Sequence, residues 1–234
     1  MVDPDAAVSE LRYAIRELGM TGAMIPSNGL KATLGSKKYW PVYKEAESLG
    51  CSLALHGGSH HNMGMDDFTT FAPVHALGHP FGMMINLASM VFNGVFDRFP
   101  NLRVGYLEAG VAWFLFCLER FDGSWAAFQP YDFADQLVKT RSGEKMSKYI
   151  RRLIDGDRLF IGCEGDEPTL GYAAKVVGSK PFIYSSDFPH EVTAESCKHE
   201  IEELRENPEL SDEDKENILC RNAKRFYQVR VAVA

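Results

Sequence analysis

Apolar positions along the chain alternate between helix-like faces and short, nearly continuous apolar runs. Asp3-Pro4 supplies an N-cap and a first-turn proline, and Ala7, Leu11, Ala14, Ile15 and Leu18 then mark one helical face, closed by Gly19. An apolar run at 21–27 follows, then a helix over 38–49 and a second run at 51–57. A buried helix is expected over 81–93, a third run at 103–109, and a helix start at 113–120. After a long irregular stretch with several aromatics, a helix is expected at 147–153. Runs at 159–165 and 182–187 flank a further helix at 169–177. The pair Ser211-x-x-Asp214 reads as a capping pattern that opens a helical tail to about Val229.

Five strand-like runs separated by helices predict a parallel sheet covered by helices. The runs are apolar throughout rather than alternating, as expected for strands buried on both faces. No low-complexity linker or composition break divides the chain, so one α/β domain over 1–234 is the expectation.

Charge and cysteine usage narrow the function classes. A net charge of −7, with no long basic run, argues against a nucleic-acid or anionic-membrane partner. No apolar stretch reaches the roughly 20 residues of a spanning helix, and the N-terminus lacks the features of a signal peptide. The five cysteines are scattered, with no C-x-x-C pair, which disfavours a disulfide framework or a cysteine zinc knot. The expected compartment is the cytoplasm. Phosphate-loop, dinucleotide, G-x-S-x-G and H-E-x-x-H motifs are all missing, which disfavours nucleotide-dependent and simple serine-hydrolase chemistry.

The informative polar residues fall at strand ends. The last four runs close on His56, Glu108, Glu164 and Asp187. In parallel α/β folds the C-terminal strand ends share one side, and that side carries the site. A histidine followed by Gly57-Gly58, with an aspartate at another strand end, is a usual way to hold Zn²⁺ or Mn²⁺. Glu108 reads either as a ligand or proton shuttle, or as a cap for the next helix. Glu164 is the member of its acidic cluster that interests the site, because Asp166 or Glu167 can cap the following helix. Five of the seven histidines, His56, His60, His61, His75 and His79, lie from the end of the second run to the following helix. That stretch is expected to be a long loop forming a lid or substrate pocket, although His60, His61 and His75 fit an ordinary solvated loop equally well. Ser185-Ser186-Asp187-Phe188-Pro189-His190 places serine, aspartate and histidine close in sequence, but a catalytic triad rarely arises from adjacency.

The segment from Asp3-Pro4-Asp5-Ala6-Ala7 to Arg16-Glu17-Leu18-Gly19 and Gly22 resembles the third-helix region of amidohydrolase-related family 2. These are metal-dependent hydrolases and decarboxylases like aminocarboxymuconate semialdehyde decarboxylase. Residues 39–58 resemble the family's fourth helix and fifth strand, and 94–103 with Leu107-Glu108-Ala109-Gly110 its sixth strand. Residues 185–190 resemble its eighth strand and 222–227 its closing helix. The resemblance implies a (β/α)₈ barrel in which His56 and Asp187 ligate a divalent metal. It places His190 near the substrate. Taken with the strand-end pattern, the expected catalytic groups are Asp187, Glu108 and His190, and the expected substrate contacts are Glu164 and His79. Family members often carry histidine where Glu108 stands. The family's first-strand H-x-H or E-x-H pair has no counterpart before His56, so the expected barrel is incomplete, with strands four to eight, and its metal is absent or weakly held. Two expectations follow. One is a metal-dependent enzyme that hydrolyses or decarboxylates a small carboxylated or cyclic substrate. The other is a catalytically silent family member that acts as an oligomerising or binding protein. In either case the chain is expected to be a homo-oligomer.

Overall fold

The computed structural model describes residues 1–131, 138–190 and 192–229. Five parallel strands form one sheet in chain order: β1 Gly22–Pro26, β2 Ser52–His56, β3 Val104–Tyr106, β4 Leu159–Cys163 and β5 Phe182–Tyr184. Met24 lies opposite Ala54, Ala54 opposite Gly105, and Gly105 opposite Phe160. A strand order that never reverses lacks the switch point of a doubly wound sheet and matches the winding of a barrel. The parallel α/β expectation therefore holds. Among the described residues the sheet has five strands and stays open, because β1 and β5 are not paired.

The third and fifth runs are shorter as strands than the sequence suggests. Glu108 and Asp187 take left-handed backbone angles, φ 59° and 55°, and no pleated strand continues through such a residue.

The helices are α1 Pro4–Arg16, α2 Trp40–Leu49, α3 Ala72–Phe92, α4 Val95–Arg98, α5 Ala112–Phe128, α6 Met146–Asp155 and α7 Leu170–Val177. After β5 come α8 Ala194–Glu206, α9 Asp212–Glu216, a π-helical turn Asn217–Arg221 and α10 Asn222–Tyr227. Asp3 caps α1 as expected, accepting from the Asp5 and Ala6 amides. The expected helix at 81–93 instead begins at Ala72, so His75 and His79 are helical rather than in a loop. Pro80 lies inside that helix, where a proline usually marks a boundary. Helix α8 was not expected. Its start is a Thr193–Ser196 capping box, but Leu204 is its one fully buried residue, so its apolar pattern is faint.

Strands β2, β4 and β5 each serve two cores because successive side chains face opposite ways. Leu53 and Leu55 join the large cluster under the helices, with Tyr43, Leu87 and Phe114. Ala54 faces the other side, in a small cluster with Phe160, Ile183 and Phe226. Phe226 comes from α10, which lies across the strands' N-terminal ends, and Ser52 Oγ donates to its carbonyl oxygen. Gly105 makes room for it, since a Cβ there would stand 2.9 Å from the Phe226 ring. The five cysteines are all free, with Cys51, Cys117 and Cys163 buried. Among the described residues no helix is long and apolar enough to cross a membrane.

Candidate active site

The opposite, C-terminal side of the sheet holds a cavity of about 400 Å³ lined by His56, His79, Glu108, Glu164, Asp187 and His190. The sequence pattern singled out these six residues, and the fold brings them together. His56 ends β2 on the same face as Ala54, two residues earlier. Glu164 follows β4 directly, while Glu108 and Asp187 sit just past β3 and β5. Their left-handed backbones store strain where the side chains converge, which is where such conformations usually carry function.

Glu108 is the centre of the arrangement. Its Oε2 stands 2.6 Å from His56 Nε2 and 3.4 Å from His79 Nε2. That oxygen is buried and, among the described residues, has no aligned hydrogen-bond partner. Burial lifts the Glu108 carboxyl above the usual carboxylate range; hydrogen bonding to Asp187 and its charge act the same way, and His56 opposes them. Across the cavity Asp187 Oδ1 pairs with His190 Nδ1 at 2.9 Å. Ser186 Oγ accepts instead from the Phe188 amide at 3.4 Å, in a local turn. No described hydrogen bond joins a serine to His190, so no serine triad forms.

Glu108 does not cap the following helix. The Val111 amide at that helix start donates to Glu167 Oε2 at 2.7 Å, and the Glu164 amide donates to Glu167 Oε1 at 2.8 Å. Glu167 therefore ties the turn carrying Glu108 to the turn carrying Glu164. Burial pushes its carboxyl up to about 7. Sequence reasoning missed this role, having read Glu167 as a possible cap for its own helix.

His79 reaches the site from the second turn of α3. Its ring packs edge-on against His56, His60 and His75, with centroids 5.7, 5.3 and 6.0 Å away. Burial, followed by the neighbouring imidazoles, lowers His79 to about 4, so it is neutral and competent as a metal ligand near neutral pH. The approach depends on Gly57, where a Cβ would lie 1.7 Å from His79 Nε2. Pro80 has no amide to give Ala76, and both residues line the cavity. His61 points elsewhere and pairs with Asp66 in an exposed loop. The signal for the helix was present: a proline in the first turn, and His75 and His79 four residues apart on one face.

Among the described residues two sets of ligand-bearing side chains can hold a cation, His56–His79–Glu108 and Glu108–Asp187–His190, and they share Glu108. Imidazole nitrogens mixed with carboxylate oxygens suit Zn²⁺ or Mn²⁺. The orphaned Glu108 oxygen, with two imidazoles against it, fits a site that a cation would satisfy.

The amidohydrolase family model matches residues 1–229, and the chain belongs to that family. It is 27% identical to 2-amino-3-carboxymuconate-6-semialdehyde decarboxylase of Dictyostelium discoideum over 223 residues, 95% of this chain and 57% of that protein. Among solved structures, it superposes on 5-carboxyvanillate decarboxylase LigW of Sphingomonas paucimobilis with a TM-score of 0.79 and 23% identity. That match covers 97% of this chain and 64% of the other. Dihydroxybenzoic acid decarboxylase of Polaromonas sp. JS666, solved with manganese and 2-nitroresorcinol, gives a TM-score of 0.73 at 19% identity. It covers 99% of this chain and 68% of its own. The chain thus spans little more than half the length of that curated relative. At these identities the two structures speak for the fold. The comparisons support decarboxylase-type chemistry in the family and lend nothing to the expectation of a catalytically silent member.

Proposed function

We propose that this chain carries the site of a divalent-metal-dependent decarboxylase acting on a small, carboxylated, cyclic substrate. The observation that carries the reading is the convergence of His56, Glu108 and Asp187, from three strand ends, on one cavity. In this reading the five strands correspond to strands four to eight of a (β/α)₈ barrel. His56 and Asp187 would be ligands of Mn²⁺ or Zn²⁺, each grouped with Glu108, and His79 belongs to the set of His56. When bound, the ion supplies a Lewis acid that stabilises negative charge developing on the substrate. His79 and Glu164, both in the cavity lining, orient the substrate. Asp187 fixes His190 through Nδ1, which leaves Nε2 to pass a proton between water and the carbon that loses carbon dioxide. With Glu167 bracing two of the turns, the carboxylates are preorganised rather than recruited. The chain is a homo-oligomer in this reading, with the open edge at β1 covered.

The test is metal content by mass spectrometry for the natural chain, His56→Ala and Asp187→Asn, with carbon dioxide release from a panel of carboxylated aromatics. Near-stoichiometric Mn or Zn in the natural chain, lost in both variants, together with substrate-dependent release, is the expected result. Absence of metal and of release would remove the reading and leave the family and fold.

A further inference from the structure

On the side of the sheet away from this site, a cleft of about 630 Å³ opens where β3 and β4 begin. Among the described residues its walls carry Arg103, Arg158, Lys224, Arg225 and Gln228, with Asp157 as the one carboxylate. The wall therefore holds three positive charges in excess, in a chain whose net charge is −7. Asp157 is already shared, its Oδ1 lying 3.2 Å from Lys180 Nζ and 3.4 Å from Arg225 Nε.

Hydrogen bonding explains where the arginines stand without neutralising them. Arg103 Nε donates to Ser52 Oγ and the Phe226 carbonyl, and Arg158 Nη2 donates to the carbonyls of Phe96 and Phe99. All of these acceptors are uncharged. Among the described residues the buried Nε atoms of Arg158 and Arg225 make no aligned hydrogen bond, the Asp157 contact of Arg225 being an ion pair alone. Burial pulls Arg103 and Arg158 below the ordinary guanidinium value, and the charges of Asp157 on Arg103 and of Asp97 and Glu47 on Arg158 oppose it without cancelling it.

We propose that this cleft binds a small phosphate-bearing anion, either free phosphate or a phosphate monoester. Guanidinium forks match a tetrahedral oxyanion in both charge and geometry. The anion would bridge Arg103 and Arg158, which precede β3 and β4, to Lys224 and Arg225, which directly precede Phe226 on α10. Binding therefore pins the helix that closes the sheet's N-terminal side, and it does so independently of the metal site.

The experiment is thermal unfolding of the whole chain, with chelator present, titrated with inorganic phosphate or glycerol 3-phosphate against sodium chloride of equal ionic strength. A saturable rise in Tm that chloride does not give is expected, and it persists in Asp187→Asn. The apparent affinity falls by about tenfold or more in Lys224→Glu and in Gln228→Glu, the scale of one charge-assisted hydrogen bond. Both positions are exposed, so neither change threatens the fold. Tighter binding of the monoester identifies a phosphorylated small molecule as the source, and equal or weaker binding identifies free phosphate. The proposal is overturned by the lack of a saturable rise, by a rise unchanged in both glutamate variants, or by one abolished in Asp187→Asn.

Discussion

Glu108 and His56 meet across the ends of neighbouring strands, Oε2 to Nε2 at 2.6 Å, and Glu108 takes a left-handed backbone to make the contact. Glu108→Gln keeps the shape and removes the charge. If Glu108 is a ligand, the Kd for Mn²⁺ rises at least about 100-fold, roughly 2.7 kcal/mol, while circular dichroism stays unchanged. Titration calorimetry with Mn²⁺ measures it, and an unaltered Kd would take Glu108 out of the ligand set.

Gly57 gives His79 its place. In Gly57→Ala the new methyl would stand 1.7 Å from His79 Nε2, so the ring must move. Overpacking of this kind costs about 1–3 kcal/mol, readable in urea unfolding. Gly57→Ala combined with His79→Ala removes both sides of the clash, so the double variant is expected to be more stable than Gly57→Ala alone. Additive losses would show that the glycine serves some other purpose.

Glu167 makes stability depend on pH. Burial raises its carboxyl from 4.5 to about 7 in the folded chain, so the fold holds this proton more tightly than the unfolded chain does. The contribution is fully present below about pH 4.5 and is lost as pH rises through 7. Because the side chain is partly exposed, the loss is on the order of 1–2 kcal/mol. Urea midpoints at pH 5 and pH 8 check it, and Glu167→Gln should show a smaller fall between them than the natural chain. Equal falls would mean the two amides that Glu167 accepts hold it charged.

The strand runs were legible because a parallel strand is apolar on both faces, and His56, Glu108, Glu164 and Asp187 stood out as the polar residues that end them. Helix α3 was legible only in part. Pro80 interrupts the hydrogen-bond pattern that defines a helix, and the turns before it carry histidines aimed at the cavity in place of an apolar face. Glu167 was invisible as a brace because its partners are the Val111 and Glu164 amides, and backbone groups leave no trace in composition. Helix α8 was hidden by its polarity, as it buries little beyond Leu204. What the sequence lacked in each case was tertiary contact, which no local period encodes.

Self-association follows from β1. This strand pairs with β2 alone, and Met24, on the same face as Ala54 and Phe160, is 69% exposed. An open edge presents unpaired amides and carbonyls to any second chain, and nothing charged or proline-bearing blocks β1 before its last residue. Each 100 Å² of apolar surface removed from water there is worth roughly 2.5 kcal/mol. The chain of 26.2 kDa is therefore expected to sediment as a dimer or larger at micromolar concentration. Met24→Lys places a solvated charge on the exposed position and should shift the population toward monomer with little loss of fold, since Met24 is not part of the core. Sedimentation velocity on both proteins decides the matter. A natural chain that sediments as a compact monomer and unfolds cooperatively would show that β1 tolerates its open edge, and the expectation of self-association would be wrong.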